Sequence, residues 1–257
     1  MSETILVIPC YDEAARLRVA HISEYLEEDP DTDFIFVDDG SRDETLAILQ
    51  DLEKASKGRV AVLEQASNQG KAEAVRRGMN LAFERGARFA GYFDADLATP
   101  LHELGRLRNV LLESDEIQMV FGSRVQLLGR RIIRRPLRHY LGRIFATAVS
   151  ISLDLAIYDT QCGAKLFRCG ALTRELFAER FVSNWVFDVE IIARWRRAEE
   201  NRDRLPASRV IYELPLDEWV DVEGSKVRAS DFLMAVLEVW RIHRRYKISG
   251  RNRIREE

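Results

Sequence analysis

Short runs of β-branched and aromatic residues alternate through the first half of the chain with stretches whose apolar residues recur every three to four positions. That alternation is the mark of βαβ units built on a mainly parallel sheet. It predicts strands at 4–9 (TILVIP), 33–38 (DFIFVD), 59–63 (RVAVL), 88–93 (RFAGYF) and 117–122 (IQMVFG), with helices near 12–27, 43–56, 70–85 and 100–114. Beyond a junction near residue 122 the pattern predicts a strand at 163–168, helices at 170–178 and 187–199, a strand at 207–213 and a long helix at 229–246. No repeat, low-complexity tract or Gly/Ser linker interrupts the sequence, so residues 1–257 read as one α/β domain with an N-terminal half, 1–122, and a C-terminal half, 123–257.

Composition narrows the class. With 46% hydrophobic and 32% charged residues, 14 Gly and 6 Pro, the chain is neither disordered nor fibrous. Its three cysteines, Cys10, Cys162 and Cys169, lack zinc-ligand spacing and are too few for a disulfide framework, which fits a reducing, cytoplasmic setting. The opening MSETILVIPC carries no basic leader and reads as no secretion signal. The longest apolar stretch, 144–157, is broken by Asp154 and is shorter than the roughly 18 to 20 residues a spanning helix needs.

A net charge of −3 conceals two opposed halves. Residues 1–116 hold 13 Lys/Arg against 24 Asp/Glu, a balance of −11, and residues 117–257 hold 26 against 18, a balance of +8. An acidic half can host a divalent cation, and a basic half suits an anionic partner.

In open parallel sheets, ligands sit beyond the carboxyl ends of the strands. Carboxylates cluster there: Glu13 after the first strand, Asp38 and Asp39 after the second, Asp94 and Asp96 after the fourth. Asp94-Ala95-Asp96 offers hard oxygen ligands for Mg²⁺ or Mn²⁺ bridging a diphosphate; the alternative is a solvated turn. In Asp38-Asp39-Gly40-Ser41, a carboxylate can accept from ribose hydroxyls or a base N–H, while Ser41 and Glu44 have the spacing of a capping box; a capped turn without a ligand is the alternative. Asn68-Gln69-Gly70-Lys71 opens a helix and sets a lysine beside free N–H groups that favour phosphate, or is a surface turn.

Taken in order, ILVIPCYDEAARL, FVDDGSRDETL, NQGKAEAVRRG, YFDADLATP, FGSR and DTQCGAKLF resemble glycosyltransferase family 2, inverting enzymes of the GT-A fold. Within it they are most similar to the branch that moves glucose or mannose from a nucleotide-sugar to dolichyl or another polyprenyl phosphate. The resemblance runs from about residue 4 to residue 228. It implies that Pro9, Tyr11, Glu13, Asp38 and Asp39 line a nucleoside pocket and that Asp94, Ala95 and Asp96 meet the metal and diphosphate. It further implies that Arg124 and Arg138 hold the acceptor phosphate and that Lys226 lies near the donor; Lys71, from the helix opening above, is a further donor-binding candidate. The mannose branch has Gln where this chain has Ala98, and DTQCG with the WVFDVE segment at 185–190 resembles the glucose side, so UDP-glucose is the expected donor. Ala72 stands where a glycine is usual.

A phosphate monoester is already ionised near neutral pH, its second pKa being about 6, so the transfer needs no general base. For an alcohol acceptor, Asp188 is the candidate base; otherwise it pairs with Arg194 or Arg197 on a helix face.

Segment 126–157 holds six arginines between Arg130 and Arg143, with no acid among Leu, Ile and Tyr, as an interfacial helix at anionic headgroups would. A homo-oligomer interface is the alternative, and nucleic acid is not expected as a partner. The tail RIHRRYKISGRNRIR is either a second membrane contact or a solvated end. Cys162 reads as a buried small residue, and Trp185, Phe187, Trp195, Trp219 and Trp240 read as core.

The expectation is a metal-dependent hexosyltransferase, peripheral at the cytoplasmic face of a membrane. Its rivals are a soluble family 2 enzyme acting on a glycan or small alcohol, a nucleotide-sugar-binding protein without turnover, and a nucleotidyltransferase.

Overall fold

The computed structural model describes residues 2–133, 136–199, 204–222 and 229–246. In chain order these form β1 (Thr4–Cys10), α1 (Val19–Glu28), β2 (Thr32–Asp38), α2 (Thr45–Ala55), β3 (Val60–Glu64), α3 (Lys71–Glu84), β4 (Phe89–Phe93), α4 (Glu103–Glu113) and β5 (Met119–Ser123). There follow β6 (Arg131–Ile133), α5 (Pro136–Leu153), β7 (Ala164–Arg168), α6 (Ala171–Ala178), α7 (Phe187–Ala198), α8 (Ala207–Val210), β8 (Ile211–Pro215), β9 (Glu218–Val220) and α9 (Ala229–Tyr246).

Seven strands make one sheet in the order β3-β2-β1-β4-β7-β5-β8. Only β7 runs antiparallel to its neighbours, β4 and β5; the other pairings are parallel. The α/β class and mainly parallel sheet expected from the hydrophobic pattern are therefore present. Successive side chains of a strand point to opposite faces, so each face builds its own core. Val7, Ile35 and Val37 pack under α3, α6, α7 and α9 on one face. Leu6, Ile8, Phe34 and Phe36 pack under α1, α2 and α4 on the other.

Two predicted boundaries move. The helix expected from residue 12 begins at Val19, because Asp12 adopts φ 50° and the N–H groups of residues 12 to 14 bond to side chains some thirty positions away. The strand expected at 207–213 is a single helical turn followed by β8, since Pro206 precedes the turn and Ala207 and Val210 are both buried at helical spacing. The short parallel pair β6 and β9 carries no strand-length pattern; the backbone of β9 joins it to the loop after β4, where Val220 N donates to Ala98 O at 3.1 Å.

Gly91 allows β7 to lie against β4, because a Cβ there would sit 2.1 Å from the Lys165 carbonyl oxygen. Backbone cannot yield as a side chain does. Gly91→Ala is expected to destabilise the fold by about 3 kcal/mol, read as a melting temperature lower by about 6 to 12 °C in a thermal melt.

Candidate active site

Strands β2, β1 and β4 are parallel neighbours, so the residues following them share one edge of the sheet. Buried Pro9 lies in β1, half-buried Tyr11 and Glu13 follow it, and the connection after β2 laces this turn in place. Asp12 N donates to Ser41 Oγ at 3.1 Å, Glu13 N to Thr45 Oγ1 at 2.8 Å, Ala14 N to Asp43 Oδ2 at 3.1 Å and Arg42 N to Asp12 Oδ1 at 2.8 Å. The expected capping box is absent, because Ser41 Oγ serves Asp12 and Asp43 Oδ1 accepts the Thr45 N–H at 3.0 Å. The Glu13 carboxylate pairs with Arg16 at 2.5 Å.

Asp38 and Asp39 are both buried, with different commitments. Asp39 accepts from Gln65 Nε2 at 2.8 Å, Gln69 N at 2.7 Å and Gly70 N at 2.8 Å, which fastens the loop before α3 to the end of β2. Burial raises its pKa more than those two backbone donors lower it, and the charge of Asp38 adds to the rise. Asp38 Oδ2 accepts from Ser41 N at 3.2 Å, whereas Oδ1 is buried with no hydrogen-bond partner among the described residues. An unsatisfied buried acceptor beside the sheet edge is suited to a ligand hydroxyl or N–H. Gly40, at φ +68°, lets the loop approach, since a Cβ would meet the Ser67 backbone at 2.7 Å.

Lys71 is the first residue of α3, and its Nζ lies 2.5 Å from Asp94 Oδ1. Burial works to lower its pKa, but the carboxylates of Asp94, Asp188 and Asp96 outweigh that and raise it. Asp94 is set by the loop before β7: its N–H donates to Gly163 O at 3.0 Å, and a Cβ on Gly163 would lie 2.1 Å from Asp94 Oδ2. Ala95 is buried between the two acids, and Asp96 Oδ1 accepts from Ala98 N at 3.1 Å. Burial and then the neighbouring Asp94 charge raise the pKa of Asp96. Two hard, mutually repelling carboxylates fit Mg²⁺ or Mn²⁺, which binds through one or two carboxylates and fills its shell with phosphate and water oxygens. Among the described residues no group of three His, Cys, Asp or Glu forms a fuller cage.

Arg124 follows β5 and forms a bidentate pair with Asp159, Nε to Oδ2 at 2.6 Å and Nη2 to Oδ1 at 2.7 Å, with its guanidinium 5.2 Å from the Trp219 ring centre. Burial acts to lower its pKa; Asp159 and, among more distant groups, Asp94 raise it. Asp188, at the start of α7, is buried with Oδ1 2.6 Å from both Lys165 Nζ and Tyr92 Oη. The alternative pairing with Arg194 or Arg197 is not what forms: Arg194 binds Glu190 at 2.9 Å. The side chain of Arg138 and the whole of Lys226 lie outside the described residues.

Asp94, Asp96, Lys71 and Asp188 thus form one charge cluster, with Arg124 within electrostatic reach and Asp38 and Asp39 farther along the edge. Asp159 and Lys165 lie in the DTQCGAKLF motif, but the sequence assigned neither of them a role at the site. Lys165 had one visible signal, a lysine inside the otherwise apolar AKLF run of β7, and it is fully buried. Burial pushes the Cys162 thiol up to about 11, in keeping with a packing role. Trp195, Phe187 and Trp219 are buried as expected, and Trp185 is partly buried; Trp240 is 53% exposed and is not core.

Residues 5–175 match the family described as Glycosyl transferase family 2. A dolichyl-phosphate beta-glucosyltransferase of Trichomonas vaginalis is 32% identical over 253 residues, covering 93% of this chain and 70% of that protein. One from Drosophila melanogaster is 33% identical, covering 88% and 69%. In structure the chain is similar to Mycobacterium tuberculosis glucosyl-3-phosphoglycerate synthase crystallised with Mn²⁺ and uridine-diphosphate-glucose, with a TM-score of 0.63, 19% identity, and coverage of 95% and 79%.

Proposed function

The chain belongs to glycosyltransferase family 2, whose members are nucleotide-sugar-dependent transferases, and from that premise we propose that it moves glucose from UDP-glucose, with inversion, onto a polyprenyl phosphate of the dolichyl type. The observation that carries this reading is the cluster of Asp94, Asp96 and Lys71 at the sheet edge, with Arg124 within electrostatic reach.

Asp94 and Asp96 would hold the cation, which when bound would neutralise charge on the departing diphosphate. Lys71 offers a second positive charge to that diphosphate, and α3 presents its N-terminal end beside it. Asp38 Oδ1 accepts from the nucleoside, while Pro9, Tyr11, Glu13 and Asp39 shape its pocket. Arg124 faces the acceptor. A phosphate oxygen of the acceptor forms a bond to the anomeric carbon as the bond from that carbon to UDP breaks, so inversion follows from in-line displacement and no proton needs removal. Asp188 is the base only for an alcohol acceptor, and its contacts with Lys165 and Tyr92 favour a positioning role instead.

The lipid reading draws on α5 and α9. Tyr140, Ile144 and Ile151 project from α5 and Leu237 and Trp240 from α9 into solvent; the basic last turn of α9, with His243, Arg244 and Arg245, meets the C-terminal end of α5 where His243 contacts Ser152, and the Arg244 guanidinium lies 4.7 Å from the Trp240 ring centre. Apolar side chains beside cations suit an anionic bilayer surface on the cytoplasmic side. Among the described residues no helix is long and apolar enough to cross a membrane.

The test is a donor panel of UDP-glucose, GDP-mannose and UDP-N-acetylglucosamine with Mn²⁺, measured with and without a short polyprenyl phosphate. Equal yields of UDP and glucosyl lipid, with UDP-glucose favoured at least about tenfold, are expected, a discrimination that pocket contacts of about 1.4 kcal/mol supply. Turnover indifferent to the lipid phosphate would contradict the acceptor, and release of pyrophosphate would indicate nucleotidyl transfer.

A further inference from the structure

Lys165 is a fully buried charge that no step of the transfer uses. It stands opposite Tyr92 of β4 and Phe121 of β5 in the sheet, and its ammonium lies 5.5 Å and 5.8 Å from the centres of their rings. In that apolar setting the ammonium meets two polar atoms. Nζ lies 2.6 Å from Asp188 Oδ1 and donates to Cys162 O at 2.6 Å. Asp188 Oδ1 accepts from Tyr92 Oη as well, at 2.6 Å.

A buried ion pair is weak grounds for stability, since uncharged groups of similar volume often leave a fold as stable or more so. This pair does something further: it grips backbone beside the site. Cys162 belongs to the connection between α5 and β7, and that connection serves both sides of the reaction. At Gly163 its carbonyl accepts the Asp94 N–H at 3.0 Å, and the missing Cβ leaves room for the Asp94 carboxylate. Earlier in it, Asp159 holds the Arg124 guanidinium through both oxygens and also accepts from Arg124 N at 3.2 Å.

The two ends of the connection are fastened differently. At the Asp159 end, Glu213 of β8 accepts from Tyr158 N at 2.8 Å and from Asp159 N at 2.7 Å. Between the ends, Thr160 Oγ1 and Gln161 Nε2 have no hydrogen-bond partner among the described residues. At the Gly163 end the Lys165 ammonium takes the adjoining Cys162 carbonyl, and Asp188 ties the same ammonium to the start of α7. A charge-assisted hydrogen bond is among the strong ones, so this contact is suited to fixing the loop.

We infer that Lys165 is a positioning residue: held by Asp188, it fixes the Cys162 carbonyl and with it the neighbouring Gly163 carbonyl that sets Asp94 and the Asp159 carboxylate that sets Arg124. Resting on the function proposed above, it keeps the diphosphate side and the acceptor side of the transfer in register while buried out of reach of both substrates.

The experiment compares wild type with Lys165→Met and with the double variant Lys165→Met/Asp188→Asn. The single change strands a buried carboxylate and is expected to lower the melting temperature. The double change removes one charge of each sign, so the net charge around Lys71 is kept, and its amide oxygen can still accept from Tyr92; it should melt close to wild type. In both variants kcat is expected to fall about 10²-fold, the cost of shifting a catalytic group by about 1 Å. The Kd for Mn²⁺ in the presence of UDP, read by electron paramagnetic resonance, should rise about tenfold and KM for polyprenyl phosphate about three- to tenfold, on the scale of one lost charge-assisted hydrogen bond. UDP binding without metal should stay within about twofold, because the nucleoside pocket is built on β1 and β2. A crystal structure of the double variant should show the hydrogen bond from Asp94 N to Gly163 O lengthened or broken.

A double variant with wild-type kcat and Mn²⁺ affinity, or with the Gly163 carbonyl unmoved, would overturn the assignment. Equal losses of UDP, Mn²⁺ and lipid binding that track a lower melting temperature would overturn it too, leaving Lys165 a stabilising residue. Should wild-type enzyme transfer nothing to polyprenyl phosphate, the proposed function fails, while the Mn²⁺ titration and the crystal structure still decide whether Lys165 sets Asp94.

Discussion

Replacing Asp94 and Asp96 together by Asn is expected to lower kcat for sugar transfer by at least about 10³-fold, the scale on which preorganised stabilisation of developing charge acts. The amides keep the size of the side chains and remove the charges that hold a divalent cation. The fold should survive the change. Asp94 is 38% exposed, so its ion pair with Lys71 is partly screened and contributes little stability. Asp96 even works against the fold at neutral pH. Its pKa is raised by burial and by Asp94, so its ionised form is disfavoured in the native state; that penalty is present above the folded pKa and fades as pH falls through it. Asp96→Asn alone should therefore leave the melting temperature at pH 7 unchanged or slightly higher while activity collapses. A transfer assay run beside a thermal melt reads both, and loss of activity accompanied by unfolding would assign the pair to structure instead.

Gly163→Ala is expected to cost about 10²-fold in kcat/KM without touching any atom of a substrate, the penalty commonly attached to displacing a catalytic group by about 1 Å. The added Cβ would fall 2.1 Å from Asp94 Oδ2 and 2.2 Å from its Cγ, so the carboxylate has to rotate or shift. The same displacement should weaken Mn²⁺ binding in the presence of UDP, measured by electron paramagnetic resonance. Gly105→Ala is the matched control: nothing lies within 4 Å of its Cβ position in α4, and the substitution should stabilise the helix by up to about 1 kcal/mol with activity unchanged. Equal activity in the two variants would show that Gly163 does not set the carboxylate.

Much of this arrangement is legible in the sequence because parallel strands buried on both faces read as continuous apolar runs, and the polar residues that end them stand out. Thus FIFV followed by Asp38 and Asp39, and RFAGYF followed by Asp94 and Asp96, place four carboxylates on one edge of the sheet. Interactions between distant segments are not legible in this way. Arg124 and Asp159 stand 35 residues apart and pair through both oxygens, yet neither position carries a periodic signal. The buried contact of Lys165 with Asp188 joins β7 to α7, and the late start of α1 depends on Ser41, Asp43 and Thr45 from the next connection. Trp240 failed as a core residue for a related reason: Ala235, Val239 and Ile242 form the buried stripe of α9, and a tryptophan off that stripe faces outward.

The most direct measurement is anomalous diffraction at the manganese edge from crystals grown with Mn²⁺ and UDP. A manganese peak ligated by the Asp94 and Asp96 carboxylates and by both phosphates of UDP, with Lys71 turned from Asp94 toward the diphosphate, is the expected result. A peak remote from those two carboxylates, or a diphosphate seated away from them, would contradict it.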